Sequence, residues 1–95
     1  MLFLKKKYAL KFYKSIVEYN ARRAFDASWK EIQDGSLLST LMDLQKQYNF
    51  KIVRVKLNNS SKQSCIVIQC EKGIHQQVFS EFCAIYSKFI EKCEF

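Results

Sequence analysis

Proline is absent from this sequence, glycine occurs twice and histidine once. The lack of proline and the scarcity of glycine argue against flexible linkers and low-complexity tracts. Gly35 and Gly73 stand far apart, so no glycine-rich loop can cradle a phosphate, which argues against nucleotide-driven chemistry. No apolar run approaches the roughly 18 residues that a membrane-spanning helix needs. The opening Met-Leu-Phe-Leu precedes Lys5-Lys6-Lys7, the reverse of a secretory signal, where positive charge comes first. Four cysteines, Cys65, Cys70, Cys83 and Cys93, fall within expected helices and strands. They read as small buried hydrophobes, because a disulfide scaffold places its cysteines between elements. The expectation is a cytoplasmic protein with no membrane partner.

What is present is apolar and basic. Eight Phe, five Tyr and one Trp in 95 residues, with 48% hydrophobic residues, indicate a globular chain. Its length suits one domain, residues 1–95, and a chain this short buries only about 60–65% of its unfolded surface. Sixteen Lys and Arg against nine acids give a net charge of +7. Residues 1–33 carry eight basic and three acidic side chains, and residues 34–95 carry eight and six. A basic end attracts nucleic acid, acidic membrane surfaces or acidic proteins, and it also keeps a chain soluble.

The most legible stretch is Lys51 to Phe95. Residues 51–57 and 63–71 alternate and are rich in β-branched side chains, which predicts two strands. Asn58 to Lys62 between them is turn chemistry. A tight turn centred on Ser60-Ser61 places Leu57 opposite Ser64, Val55 opposite Ile66 and Val53 opposite Ile68. Gly73 should end the second strand, and a long helix is expected over about 74–93. Its apolar residues, among them Val78, Phe82, Tyr86, Phe89 and Cys93, fill about half the circumference, wider than the stripe of roughly 100° on an ordinary surface helix. That surplus must be covered by the N-terminal helices, by a second chain, or by both.

The start of the chain is ambiguous. Residues 5–19 show a helical stripe of Tyr8, Phe12, Ile16 and Tyr19, but Tyr8, Leu10 and Phe12 also alternate as in a strand. The helical reading is preferred, although a third strand would steady a lone hairpin. A break at Asn20 would begin a second helix over 21–33. Asp34-Gly35 would end it with a left-handed cap, and Ser36 would cap the next helix. Leu37, Leu38, Leu41, Leu44 and Tyr48 are spaced for that helix's buried face. The fold class is therefore α+β: N-terminal helices, an antiparallel hairpin (about 51–57 and 63–71) and a long C-terminal helix (about 74–93) packed on it, with an extra N-terminal strand as the alternative.

The sequence holds no catalytic set. His75 falls in the apolar arc at the start of the last helix, where a structural role is the plain reading; a role in RNA cleavage beside Glu71 or Lys72 has no motif behind it. Cys65, Cys70, His75 and Cys83 are too widely spaced for one tetrahedral ion, so neither a metal nor another cofactor is expected. The leading expectation is a small non-enzymatic interaction protein, an adaptor or inhibitor of the kind found in phages and mobile elements. It would bind a protein partner or itself through Phe82, Tyr86, Phe89 and Cys93, with no small-molecule substrate. The alternative is a nucleic-acid-binding regulator using Lys7, Lys11, Lys14, Arg22 and Arg23 on an N-terminal helix, with Tyr8, Tyr13 and Tyr19 between the cations. A small RNase-like toxin is the second alternative.

Overall fold

The computed structural model describes residues 5–15, 17, 19–58 and 63–95. Strand β1, Lys6–Lys14, is followed by helix α1, Tyr19–Glu31, a π-helical turn over Ile32–Ser36, and helix α2, Leu37–Gln47. Strands β2, Phe50–Lys56, and β3, Gln63–Cys70, come next, then helix α3, Ile74–Ile85, and strand β4, Ile90–Glu94. The four strands form one sheet in the order β2-β3-β1-β4. Every neighbouring pair is antiparallel. The α+β class holds, in the split β-α-β arrangement of ferredoxin-like domains.

Residues 6–14 are thus a strand, and the preferred helical reading is corrected. The alternation of Tyr8, Leu10 and Phe12 decides the matter, because both edges of this segment find partners. Leu10 pairs with Ile66 and Phe12 with Ser64 on one side, while Phe12 pairs with Cys93 on the other. A helix there would forfeit two ladders.

The long C-terminal helix is corrected as well. Helix α3 stops at Ile85, and a turn follows in which Phe89 and Ile90 N–H both donate to the Tyr86 carbonyl, at 2.9 and 3.1 Å. Ser15 N–H donates to the Phe89 carbonyl at 2.7 Å, so the chain is captured as strand β4 against the free edge of β1. Phe89, Ile90 and Cys93 keep a helical period and break strict strand alternation, since Ile90 and Cys93 are three residues apart. Pairing with β1 overrides that period, and a register shift that skips Glu91 brings both Ile90 and Cys93 against the core.

The helices cover one face of the sheet. Leu10, Phe12, Phe50, Ile66, Ile68 and Cys70 pack with Trp29, Leu37, Leu41, Leu44, Val78, Phe79 and Phe82 in one core. The Phe12 ring lies 6.4 Å from Trp29 and 5.6 Å from Phe82. Phe89 closes the end of this core at 5.0 Å from Phe25 and 5.9 Å from Trp29. The Tyr86 hydroxyl is 2.7 Å from Thr40 Oγ1 and 3.3 Å from Ser36 Oγ. Since Thr40 Oγ1 donates to the Ser36 carbonyl, Tyr86 is left to donate to Thr40. Apart from Ile85, the apolar arc of the last helix is therefore covered largely from within the chain, by strands and by the preceding helices.

Asp34-Gly35 does not break the helix, and Ser36 is no cap. Ser36 has helical angles and makes no side-chain capping bond, and positive φ occurs only at Gly73 (96°) among the described residues. The Leu37 N–H instead reaches back to the Ile32 carbonyl, five residues away. This extra residue has a use. At about 100° per residue, Trp29 would sit roughly 80° off the stripe of Leu37, Leu41 and Leu44; one inserted residue cancels about 100° and returns it to that stripe.

In the hairpin, Val55 pairs with Ile66 as expected, but the register shifts between Ile52 and Arg54. Val53 does not face Ile68; it is bulged outward, and Ile52 takes its place. The expected turn at Ser60-Ser61 lies outside the described residues. Beside it, the Asn58 carbonyl accepts bonds from Gln33 Nε2 at 3.0 Å and Trp29 Nε1 at 3.4 Å, fastening the hairpin to the π turn and to the first helix.

The two sides of α3 should respond unequally to truncation. Phe82 is fully buried, whereas Ile85 is 56% exposed. Phe82→Ala should cost about 3–5 kcal/mol and Ile85→Ala about 0.5 kcal/mol or less. Urea denaturation of the two variants measures this; equal losses would show that α3 is oriented differently.

Candidate nucleic-acid interface

The face of the sheet away from the helices is built by the same alternation that fills the core. Lys11 lies between the fully buried Leu10 and Phe12, so it points the other way. The pairing aligns outward residues in rows. One row is Lys56, Cys65, Lys11 and Glu94, and the next is Arg54, Val67 and Ala9. A third is Lys51, Gln69 and Lys7, and at the opposite end Gln63, Tyr13 and Lys92 align.

These rows make a graded surface. The outward residues of β3, namely Gln63, Cys65, Val67 and Gln69, carry no formal charge, and all but Gln63 are half-buried. Lys51, Arg54 and Lys56 flank them along β2, and Lys7 and Lys11 along β1; all five are exposed. Lys92 adds a sixth cation, though Glu94 lies 2.9 Å from it. That hydrogen bond, then its charge, holds the Glu94 carboxyl below its ordinary range and the Lys92 ammonium above its own. Tyr13 donates to Gln63 Oε1 at 3.0 Å, which fixes its ring at the end of the neutral trough.

The cations singled out from the sequence are dispersed. Lys7 and Lys11 lie on this face. Lys14 points to the helical side, where its ammonium meets Asp26 of α1 at 2.7 Å. Arg22 and Arg23 are exposed on α1, in the helical layer. Sequence reasoning does not single out Lys51, Arg54, Lys56 and Lys92, because with β1 read as a helix nothing sets the hairpin's cations beside Lys7 and Lys11. Strand alternation over residues 7–13 was the signal that joins the two halves.

The apolar set lies elsewhere. Phe82 is fully buried, Tyr86 is 5% exposed, and Phe89 and Cys93 pack against the core. Exposed apolar surface occurs instead at Leu38, Met42 and Ile85 on the helical side. There a groove of about 410 Å³ runs between α2 and α3, lined by Thr40, Asp43, Leu44, Gln47, Glu81, Ala84 and Ile85. Burial, then a hydrogen bond to Glu81, pushes the Tyr48 hydroxyl up.

His75 stacks on Tyr8, the ring centroids 3.7 Å apart and the planes within 2°, and meets the edge of Phe79 at 6.2 Å. Its Nδ1 is buried without a hydrogen-bond partner among the described residues, and burial pulls its pKa down. The cysteines are free thiols. Burial and the neighbouring Cys93 thiol push Cys83 up to about 12, which keeps it protonated and slow to react. Burial is also the main cause of the rise at Cys70, whose sulfur accepts the His75 backbone N–H. Among the described residues no three metal-ligating side chains converge, and no helix is long and apolar enough to cross a membrane.

The chain matches no protein family, no curated protein and no solved structure. Geometry and charge therefore carry the functional argument.

The folded chain resists protonation of His75, while the unfolded chain takes up that proton near the ordinary value of 6.5. The unfolded state thus binds more protons below that value, and stability should fall as pH drops from 7 toward 5. His75→Gln should show a smaller drop in urea midpoint across that range than the parent. Parallel pH profiles for the two proteins would mean that His75 titrates freely in the fold.

Proposed function

We propose that this protein binds nucleic acid through the open face of its sheet. The observation that carries the reading is the pair of rows Lys56–Cys65–Lys11 and Lys51–Gln69–Lys7, in which cations flank an uncharged central strand on both sides. With Arg54 and Lys92 they make six cations beside the carboxylate of Glu94, counted among the described residues, on the face opposite the helices. Such a face neutralises a phosphate backbone without needing a matching surface shape. The role is binding, and it uses the fold as a scaffold for a charge pattern. It needs no catalytic group.

The salt dependence of binding to a labelled oligonucleotide tests this. With about five phosphate contacts, log affinity should fall against log salt with a slope of roughly −3.5 on a single strand. Lys11→Glu with Arg54→Glu should weaken binding about tenfold or more, each reversal replacing an attraction by a repulsion. Arg22→Glu with Arg23→Glu, equal in charge change but set in the helical layer, should cost less than about threefold. Equal losses in the two double variants would show that net charge, not this face, holds the ligand.

A protein partner or a second copy remains the other reading, and one observation favours it. Leu38 and Met42, one turn apart on α2, are 50% and 53% exposed, and Ile85, which lines the groove between α2 and α3, is 56% exposed. These exposed side chains of the helical layer, and not Phe82 or Tyr86, are where an adaptor or inhibitor of this build would dock. Met42→Glu with Ile85→Glu should then abolish any dimer seen by light scattering at micromolar concentration. A parent protein that is monomeric there overturns self-association.

A further inference from the structure

Resting on the nucleic-acid reading of the sheet, we propose that its ligand is a single strand, held with unstacked bases over Ala9, Cys65 and Val67 and one base stacked on Tyr13.

Width is the first argument. Four strands about 4.8 Å apart set the outer strands roughly 14 Å from one another before side chains are added. The major groove of a duplex is about 12 Å wide and admits a helix or a two-stranded ribbon. Neither projects from this face, since every helix packs in the core on the opposite side. Base edges inside a duplex are therefore out of reach, and only its outer phosphates could touch the lysines.

The floor of the face is the second argument. Phosphates alone would be served by an evenly charged surface. Here the middle of the sheet is Ala9 beside Val67, with Cys65 one row away, and Val67 and Cys65 are half-buried. An apolar floor between cationic rims suits a ligand with flat apolar faces and a charged backbone. A single strand offers both, because its bases are free to turn onto the protein. An acidic protein offers the charge but leaves the floor without a partner.

Tyr13 is the third. Its hydroxyl bond to Gln63 ties the ring to β3, and Lys92 aligns with it across β1 and β4. A fixed ring beside a cation is a stacking platform at one end of the floor, and an ordered ring loses little freedom when a base lands on it. The backbone then passes between the β2 cations Lys51, Arg54 and Lys56 and the β1 cations Lys7 and Lys11. Tyr13 acts as a binding residue through its ring, not its hydroxyl.

The test measures anisotropy at one salt concentration with three probes of matched sequence: a 12-nucleotide RNA, the same DNA strand, and the blunt DNA duplex. Either single strand should bind at least about tenfold tighter than the duplex, and the tighter of the two identifies the sugar. Tyr13→Ala should weaken single-strand binding about fivefold or more and leave duplex binding unchanged, while Tyr13→Phe stays within about threefold of the parent. Circular dichroism shows whether each variant is folded, and the three-probe comparison on the parent needs no variant. Equal affinity for strand and duplex, or indifference to Tyr13→Ala in a folded protein, overturns the single-strand assignment while leaving nucleic-acid binding intact. No binding to any probe, with binding to an acidic protein, overturns both.

Discussion

Strand β1, Lys6–Lys14, pairs along both edges, with β3 through residues 6–13 and with β4 through residues 11–14. The rest of the molecule follows from that double pairing. It turns an otherwise marginal hairpin into a four-stranded sheet. It draws residues 90–94 out of the last helix. It also sorts β1's side chains, sending Leu10 and Phe12 under the helices and Lys7 and Lys11 to the open face. A single register thus sets core composition and surface charge together, and a slip of one residue would exchange them.

How much was legible from the sequence depended on whether one period or two fitted each segment. The hairpin was readable because Ile66, Ile68 and Val55 alternate and fit no helix. The start of α3 was readable because Gly73 supplies a backbone conformation with φ of 96° that few other residues adopt. Residues 8–12 fitted both periods, while 86–93 fitted the helical one and become a strand only through an irregular register against β1, so contacts distant in the chain decided both. Each of these two segments is the other's partner, so misreading one as a helix removed the reason to see the other as a strand. The π turn was opaque for a different reason: Asp34-Gly35 is ordinary stop chemistry, and what overrides it is the packing of Trp29 with Leu37 and Leu41 in one core.

The candidate site was half visible for the same cause. Lys7, Lys11, Arg54 and Lys56 are plain in the sequence, but their adjacency exists only through β3, with Cys65 aligned with both Lys11 and Lys56. Lys14 shows the converse. Grouped with its neighbours by sequence, it belongs by side-chain direction to the helical side, where Asp26 meets it. The last helix's broad apolar arc has a largely internal explanation, since Val78, Phe79 and Phe82 share one core with Leu37, Leu41 and Leu44 and Tyr86 is tied to Thr40 and Ser36.

The bulge at Val53 has a bearing on how copies of this protein meet one another. Strand β2 is an outer strand of the sheet, with its backbone groups open to another chain. An extra residue there increases the local twist and spoils the even ladder that a foreign strand would need, and Lys51, Arg54 and Lys56 set like charge against like along any such approach. That border of the molecule is thereby a poor template for sheet extension, and its cations are left on the flat of the sheet.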